Sequence, residues 1–166
     1  LYGHTAGGVN DIIFSPDGTI LASGGDDENV ILWDVRNPEH VKPIAIPLGG
    51  HASFVQSVDI SPDGNILAAG VFTPSVILWD ISTPDMPKKI AKPLIGHQDY
   101  LWHAVFSPYG QNLASVSDDQ SVIFWDIGIE LLKNRACNIA GRNLTSEEWA
   151  LYLPFETYQK TCPQFP

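Results

Sequence analysis

His4, Ser23 and Asp27 supply a base, a hydroxyl and a carboxylate, and His97, Ser115 and Asp119 supply the same three groups later in the chain. Such groups can make a serine nucleophilic, with the histidine taking its proton and the carboxylate orienting the ring. The same groups can also be buried and satisfy one another in series, hydroxyl to imidazole to carboxylate. A tryptophan follows each set, Trp33 or Trp125, and its indole N–H can extend the series. A hydrolase would need His4 or His97 accessible beside its serine in an open cleft. A nucleophile used identically in more than one unit would be unusual.

These groups are carried on a repeat. Trp33-Asp34, Trp79-Asp80 and Trp125-Asp126 recur every 46 residues and close the runs VILWD, VILWD and VIFWD. Gly3-His4, Gly50-His51 and Gly96-His97 recur in phase with them. Between the markers each unit has a strand-like stretch, VNDIIF (9–14), VQSVDI (55–60) or LWHAVF (101–106), followed by Ser-Pro-Asp-Gly or Ser-Pro-Tyr-Gly. Proline presets φ and the glycine two residues later accepts positive φ, so Pro16/Gly18, Pro62/Gly64 and Pro108/Gly110 are predicted to make tight hairpins. Second strands run through Leu21-Ala22-Ser23, Leu67-Ala68-Ala69 and Leu113-Ala114-Ser115. The third strand, Val30 to Trp33 and its copies, is apolar at successive positions, which predicts burial on both faces. A fourth strand is expected near Pro43 to Leu48 and Lys89 to Leu94, at a sheet edge where a missing N–H costs nothing. After Asp126 no such strand is expected.

These two phased markers resemble the WD-repeat family, whose units of about 40 to 45 residues each form a four-stranded propeller blade. The resemblance covers roughly residues 1 to 127 and implies an all-β fold: three WD-repeat blades of a partial β-propeller ring, followed by a short helical C-terminal tail. The units are 1–48, 49–94 and 95–127, with the tail at 128–166. It also implies that His4, Ser23, Asp27 and Trp33, and likewise His97, Ser115, Asp119 and Trp125, form buried structural networks. No catalytic residue is then assigned. The middle unit keeps His51 and Trp79 but has Ala69 and Thr73 in place of serine and aspartate, so its network is expected to be incomplete.

Members of the family commonly bind proteins on one face of the propeller, where the loops after each Gly-His and between second and third strands emerge. Here that face is expected to carry Phe54, Phe72, Tyr100 and Trp102, with Asn10, Gln56, Asp26 and Asp118 nearby. Aromatic anchors inside a polar rim are typical of interface hot spots. Phe72 stands where the other units have Asp26 and Asp118, through specialisation or through drift. Phe54 and Tyr100 directly precede inward-facing strand positions and fit a core role equally well.

The chain of 166 residues has 19 acidic and nine basic side chains. Four of each lie in 128–166, so the whole excess of negative charge sits on the repeats. Such a surface repels phosphate backbones and anionic membranes, which argues against nucleic-acid or membrane partners and favours a neutral or basic protein. The acidity also fits solubility alone. No apolar run approaches the roughly 20 residues of a membrane span, and no signal pattern precedes Gly3, so a cytoplasmic setting is expected. Propellers close with about four to eight blades, so three require either an upstream segment or self-association. Leu1-Tyr2 stand where a preceding strand would end, and the chain reads as the C-terminal part of a longer protein.

In the tail, Ile129, Leu132, Ala136 and Ile139 have helical spacing, and Thr145 with Glu148 makes a capping box for a second helix. The run ACNIAGRNLTSEEW is similar to C-terminal extensions of bacterial WD-repeat signalling proteins fused to STAND-type NTPases or kinases. No part of such a module is present here. Cys137 and Cys162 could form a disulfide, or stay reduced in an intracellular setting. No metal site is expected, since no further cysteine or histidine lies close by, and no cofactor is implied. The leading reading is a non-enzymatic interaction or sensing scaffold; a propeller closed by oligomerisation and a Ser-His-Asp hydrolase are the alternatives.

Overall fold

The computed structural model describes residues 2–90, 92–128 and 145–147. The chain divides into two units at the boundary between Trp125 and Asp126, and the interactions that follow lie within the first. The helix expected over 129–141, the capping box that needs Glu148 and the Cys137/Cys162 pair lie outside the described residues.

Three antiparallel sheets follow one another along the chain. The first is β1 (Val9–Phe14), β2 (Ile20–Gly25), β3 (Val30–Asp34) and β4 (Lys42–Pro43), hydrogen-bonded in sequence order. The second is β5 (Val55–Ile60), β6 (Ile66–Val71), β7 (Ser75–Asp80) and β8 (Lys88–Lys89), with β9 (Leu94–Ile95) also paired to β7. The third is β10 (Leu101–Phe106), β11 (Asn112–Ser117) and β12 (Val122–Asp126).

Each first hairpin closes at its Ser-Pro-X-Gly turn. Gly18, Gly64 and Gly110 have φ of +71°, +76° and +69°, and each N–H donates to the serine carbonyl three residues back at 2.8 Å. The serine side chain secures the turn as well. Ser15 Oγ donates to Asp17 at 2.6 Å and accepts the Ile20 N–H at 2.9 Å, and Ser61 does the same with Asp63 and Ile66.

The fourth strand departs from expectation, because it is broken. Lys42 and Pro43 pair with Asp34 and Trp33, and Ile44 N–H still reaches Leu32 O, but the next bridge is Leu48 to Val30. Four residues of outer chain thus span two residues of β3. The second sheet repeats this slip, with β8 opposite Trp79 and Asp80 and β9 opposite Ser75 and Val76. Pro47 and Pro93 precede the rejoining residues, and without an N–H neither can carry a continuous ladder.

A second irregularity recurs in all three sheets. The ladder between first and second strands shifts by one residue at Asn10, at Gln56 and at Trp102. An extra residue of this kind bends the strand and re-aims its own side chain.

The sheets pack face to face through small residues. A Cβ on Gly24 would lie 2.5 Å from Val55 Cγ1, and one on Gly70 would lie 2.6 Å from Leu101 Cδ2, so the next sheet's first strand sits directly on these glycines. Side chains then join one sheet to the next. Asp11 Oδ2 accepts the Val58 N–H at 3.0 Å, Ser57 Oγ accepts the Ala104 N–H at 3.0 Å and Asp59 Oδ2 accepts the Phe106 N–H at 2.6 Å. A buried apolar cluster lies between the first two sheets, where Ala22, Val30, Leu32, Val55, Val58, Leu67, Ala69 and Ile77 are buried, and Leu101, Ala104 and Leu113 of the third sheet are buried as well.

β3 is buried at Val30, Ile31, Leu32 and Trp33, in line with its two-sided apolar pattern. β12 differs, with Val122 59% and Phe124 75% exposed. At the other end Val9, Ile12 and Phe14 of β1 are more than half exposed, whereas their counterparts Val55, Val58 and Ile60 are buried. The difference is the neighbour: a preceding sheet covers β5, and no described residue performs that role for β1.

Candidate functional site

In the first blade the histidine, serine, aspartate and tryptophan form one chain of hydrogen bonds. Trp33 Nε1–H donates to Ser23 Oγ at 2.9 Å, Ser23 Oγ to His4 Nε2 at 2.8 Å, and His4 Nδ1–H to Asp27 Oδ1 at 2.7 Å. The third blade repeats it through Trp125, Ser115, His97 and Asp119 at 2.8, 2.8 and 2.9 Å. Burial pushes the Asp27 carboxyl up, but the His4 ring and the Thr5 N–H outweigh it and hold it below the usual carboxylate range. The Asp119 carboxyl is held well below that range by the Ser121 hydroxyl, against some desolvation, with help from the Gln98 N–H and His97.

The order of groups is that of a nucleophilic relay, but its surroundings oppose the chemistry. Ser23 and Ser115 are 4% and 1% exposed, so no substrate carbonyl reaches them. Each hydroxyl also receives an indole N–H, which occupies a lone pair that attack would need. The arrangement links the loop before the first strand to β2, β3 and the intervening turn.

The second blade closes its network by another route. Trp79 Nε1–H donates directly to His51 Nε2 at 3.1 Å, and His51 Nδ1–H donates to the Glu28 carbonyl of the first blade at 2.9 Å. The series expected to be incomplete is instead shortened by one link and joined across two blades. Ala69 leaves the room that lets indole and imidazole meet. Burial pushes the His51 pKa down from its ordinary value. Lys89 adds a further tie, its Nζ donating to Gly50 O at 2.9 Å and lying 5.2 Å from the Trp79 ring centre.

The loop end of the blades carries the other residues singled out from sequence. Antiparallel topology brings the segments before β1, β5 and β10 and the turns β2–β3, β6–β7 and β11–β12 to one end. In the first blade Asn10 Nδ2 donates to Asp26 Oδ1 at 2.8 Å and to Val55 O at 3.1 Å, and Asp26 Oδ2 accepts the Gly8 N–H. In the third, Trp102 Nε1–H donates to Asp118 Oδ1 at 2.6 Å. The second blade has Gln56 and Phe72 at these two positions, and no hydrogen bond joins them.

Its turn is remade to suit. Glu28 and Gln120 have φ of +62° and +65°, but Pro74 at the equivalent position cannot adopt positive φ. The ladder therefore runs on to pair Val71 with Ser75, and Phe72-Thr73-Pro74 form a tighter loop. Phe72 stacks on Tyr100 with centroids 4.2 Å apart and planes 7° from parallel. Trp102 meets Phe72 edge-on at 5.8 Å, and Phe54 lies 6.2 Å away on a 31° tilt. Phe54, Tyr100 and Trp102 remain 44 to 48% exposed, which places Phe54 and Tyr100 at the surface rather than in the core. Sequence reasoning missed Glu28, which acts through its carbonyl, and the joining residues Asp11, Ser57 and Asp59. Polar side chains inside otherwise apolar strands were the available signal for those three.

No group of three or more histidine, cysteine, aspartate or glutamate side chains among the described residues is placed to hold a metal ion. No helix among them is long and apolar enough to cross a membrane.

Consecutive antiparallel sheets, tied by an interior His-Trp network and presenting varied side chains at one end, define a repeat protein of the propeller-blade type. The family model described as "WD domain, G-beta repeat" matches residues 1–34, 41–80 and 88–126, and the chain belongs to that family. Short stretches are similar to curated proteins. Cross-pathway control WD-repeat protein 2 of Flammulina velutipes is 48% identical over 40 residues, 24% of this chain and 12% of that protein. Small ribosomal subunit protein RACK1 of Schizosaccharomyces pombe is likewise 48% identical over 40 residues, with the same two shares. Its namesake in Caenorhabditis elegans is 49% identical over 39 residues, again 24% of this chain and 12% of that protein. The matched stretch thus spans about an eighth of each relative's length. WD-repeat proteins typically serve as protein-interaction scaffolds.

Proposed function

We propose that this chain is a protein-binding module, without catalytic activity, whose contact surface is the loop end of the three blades. The observation that carries the reading is the Phe72–Tyr100 stack, flanked by Phe54 and Trp102 and left half-exposed. Large rings held rigid by one another present apolar area at little entropic cost, and a polar rim around them excludes water on docking. Asn10, Asp26, Gln56 and Asp118 supply that rim. Affinity capture from the native cells tests the reading with the unmodified chain, Phe72→Ala and Trp102→Ala. Loss of the same partner from both variants, with melting temperatures unchanged, supports it; equal capture by all three overturns it.

The tail's similarity to bacterial WD-repeat signalling proteins supports a place in a cytoplasmic signalling protein, following an NTPase or kinase module. A second feature concerns assembly. Val9, Ile12 and Phe14 form an exposed apolar face whose counterparts in the next blade are buried by blade packing. That face fits a further blade, from an upstream segment or from a second copy of the chain. Native mass spectrometry separates the two: a dimer of the 166-residue chain supports self-association, and a monomer supports an upstream segment.

A further inference from the structure

We propose that the aromatic cluster between the second and third blades takes a cationic side chain, an arginine, from the partner segment. This rests on the loop end being the contact surface, and it names what that surface selects. Trp102 and Asp118 carry the argument. The Trp102 indole N–H holds Asp118 Oδ1 at 2.6 Å, which fixes the carboxylate at the rim of a ring that is itself 48% exposed. Asp118 Oδ2 has no hydrogen-bond partner among the described residues. A guanidinium lying over the indole face, within about 6 Å of its centre, meets the negative face of the ring and lies within reach of that free oxygen. Its planar fork suits stacking and a charge-assisted bond together, which a compact ammonium suits less well.

Two further observations point the same way. The loop end carries Asp26, Asp27, Glu28, Asp99, Asp118 and Asp119, while 2–10, 24–29, 48–56, 70–75, 94–102 and 116–121 contain no lysine or arginine. The basic side chains of the repeats, Arg36, Lys42, Lys88, Lys89 and Lys92, all follow the Trp-Asp pairs in sequence, and Lys89, which does reach segment 48–56, is committed there to the Gly50 carbonyl. Beside the rings, the half-buried Gln56 amide makes no hydrogen bond to another described residue, whereas its counterparts Asn10 and Trp102 each donate to an aspartate. An amide free to donate and accept suits a peptide backbone next to the arginine.

The test is an NMR titration of the full 166-residue chain, read at the Trp102 indole N–H. The probe is the capped pentapeptide Gly-Leu-Arg-Leu-Gly, and the control replaces its arginine with citrulline, which keeps the planar shape without the charge. Expected is a saturable shift of the Trp102 resonance with the arginine peptide, and binding about tenfold weaker with citrulline. Asp118→Asn keeps an oxygen for the indole and removes the charge, and is expected to weaken the arginine peptide to a similar degree. Equal binding of both peptides, absence of binding, or shifts spread over the acidic surface without saturation at Trp102 each overturn the proposal. Should these occur while native capture still depends on Phe72, the cationic selection fails and the contact surface stands. Capture independent of Phe72 and Trp102 removes the contact surface itself.

Discussion

Trp79 donates its indole N–H straight to His51 at 3.1 Å, whereas Trp33 and Trp125 donate to Ser23 and Ser115. One missing hydroxyl has redirected a whole series: the imidazole moves up to the indole, and its other nitrogen turns to a carbonyl of the neighbouring blade. Ala69 is fully buried, so a hydroxyl placed there enters a space already closed by that bond. Ala69→Ser alone is expected to lose about 1 to 3 kcal/mol through overpacking and an unpaired hydroxyl. Ala69→Ser combined with Thr73→Asp rebuilds the series of the other blades, and is expected to recover part of that loss. Urea unfolding of both single variants and the double one reads the coupling, and strictly additive effects refute it.

Asp27 and Thr73 occupy equivalent turns but hold different numbers of partners. Asp27 accepts from His4, from the Thr5 N–H and from the Asn29 N–H, while among the described residues the Thr73 hydroxyl meets only Ser75 Oγ, at 3.2 Å. Asp27→Ala strands a buried histidine, and is expected to cost about 2 to 3 kcal/mol. Thr73→Ala is expected to stay within about 0.5 kcal/mol of the parent. Equal melting temperatures for the two variants contradict the assignment. Trp33→Ala removes the buried head of the series and is expected to cost about 3 to 5 kcal/mol.

His51 gives the fold a pH dependence of defined sign. Both ring nitrogens are committed in the neutral form, and burial lowers the folded pKa below the ordinary 6.5. The unfolded chain therefore binds a proton that the folded chain resists, so stability falls as pH drops through about 6.5 and levels off below the folded pKa. The lowered Asp27 and Asp119 carboxyls act in a lower window: their contribution is present above about pH 4 and is lost as pH falls through their folded values. Urea unfolding between pH 7 and 5 is expected to show the first slope in the parent and not in His51→Gln. An unchanged slope in His51→Gln contradicts it.

Gly24 and Val116 are equivalent positions with opposite demands. The next blade sits on Gly24, so Gly24→Val is expected to cost about 3 kcal/mol or more by overpacking against Val55. Val116 is 40% exposed, and Val116→Gly is expected to cost only about 1 kcal/mol, through backbone entropy. Similar losses at both positions would show that blade packing does not rest on this glycine.

The first three strands of each unit were legible because their signals lie in side-chain types: Pro16 and Gly18 mark the turn, and Val30 to Trp33 mark a doubly buried strand. The broken fourth strand was not, since the slip between Ile44 and Leu48 is a matter of main-chain pairing, with Pro47 as its sole side-chain trace. The bulges at Asn10, Gln56 and Trp102 leave no residue signature at all, because three different side chains occupy one backbone position. In the candidate site, the aromatic residues could be named from sequence, but the stacking of Phe72 on Tyr100 depends on Pro74 having reshaped a turn. The second network could be seen to lack its serine and aspartate. Its replacement partner is the Glu28 carbonyl, and every residue has a carbonyl.

The bulge has a consequence for how such a chain changes over time. It detaches one position per blade from the alternation that dictates the rest of the strand, so that Asn10, Gln56 and Trp102 can differ while the ladders on either side keep the same register. A single codon in each blade can thus be rewritten without renegotiating the fold, and neighbouring blades can drift towards unlike ligands from a common template.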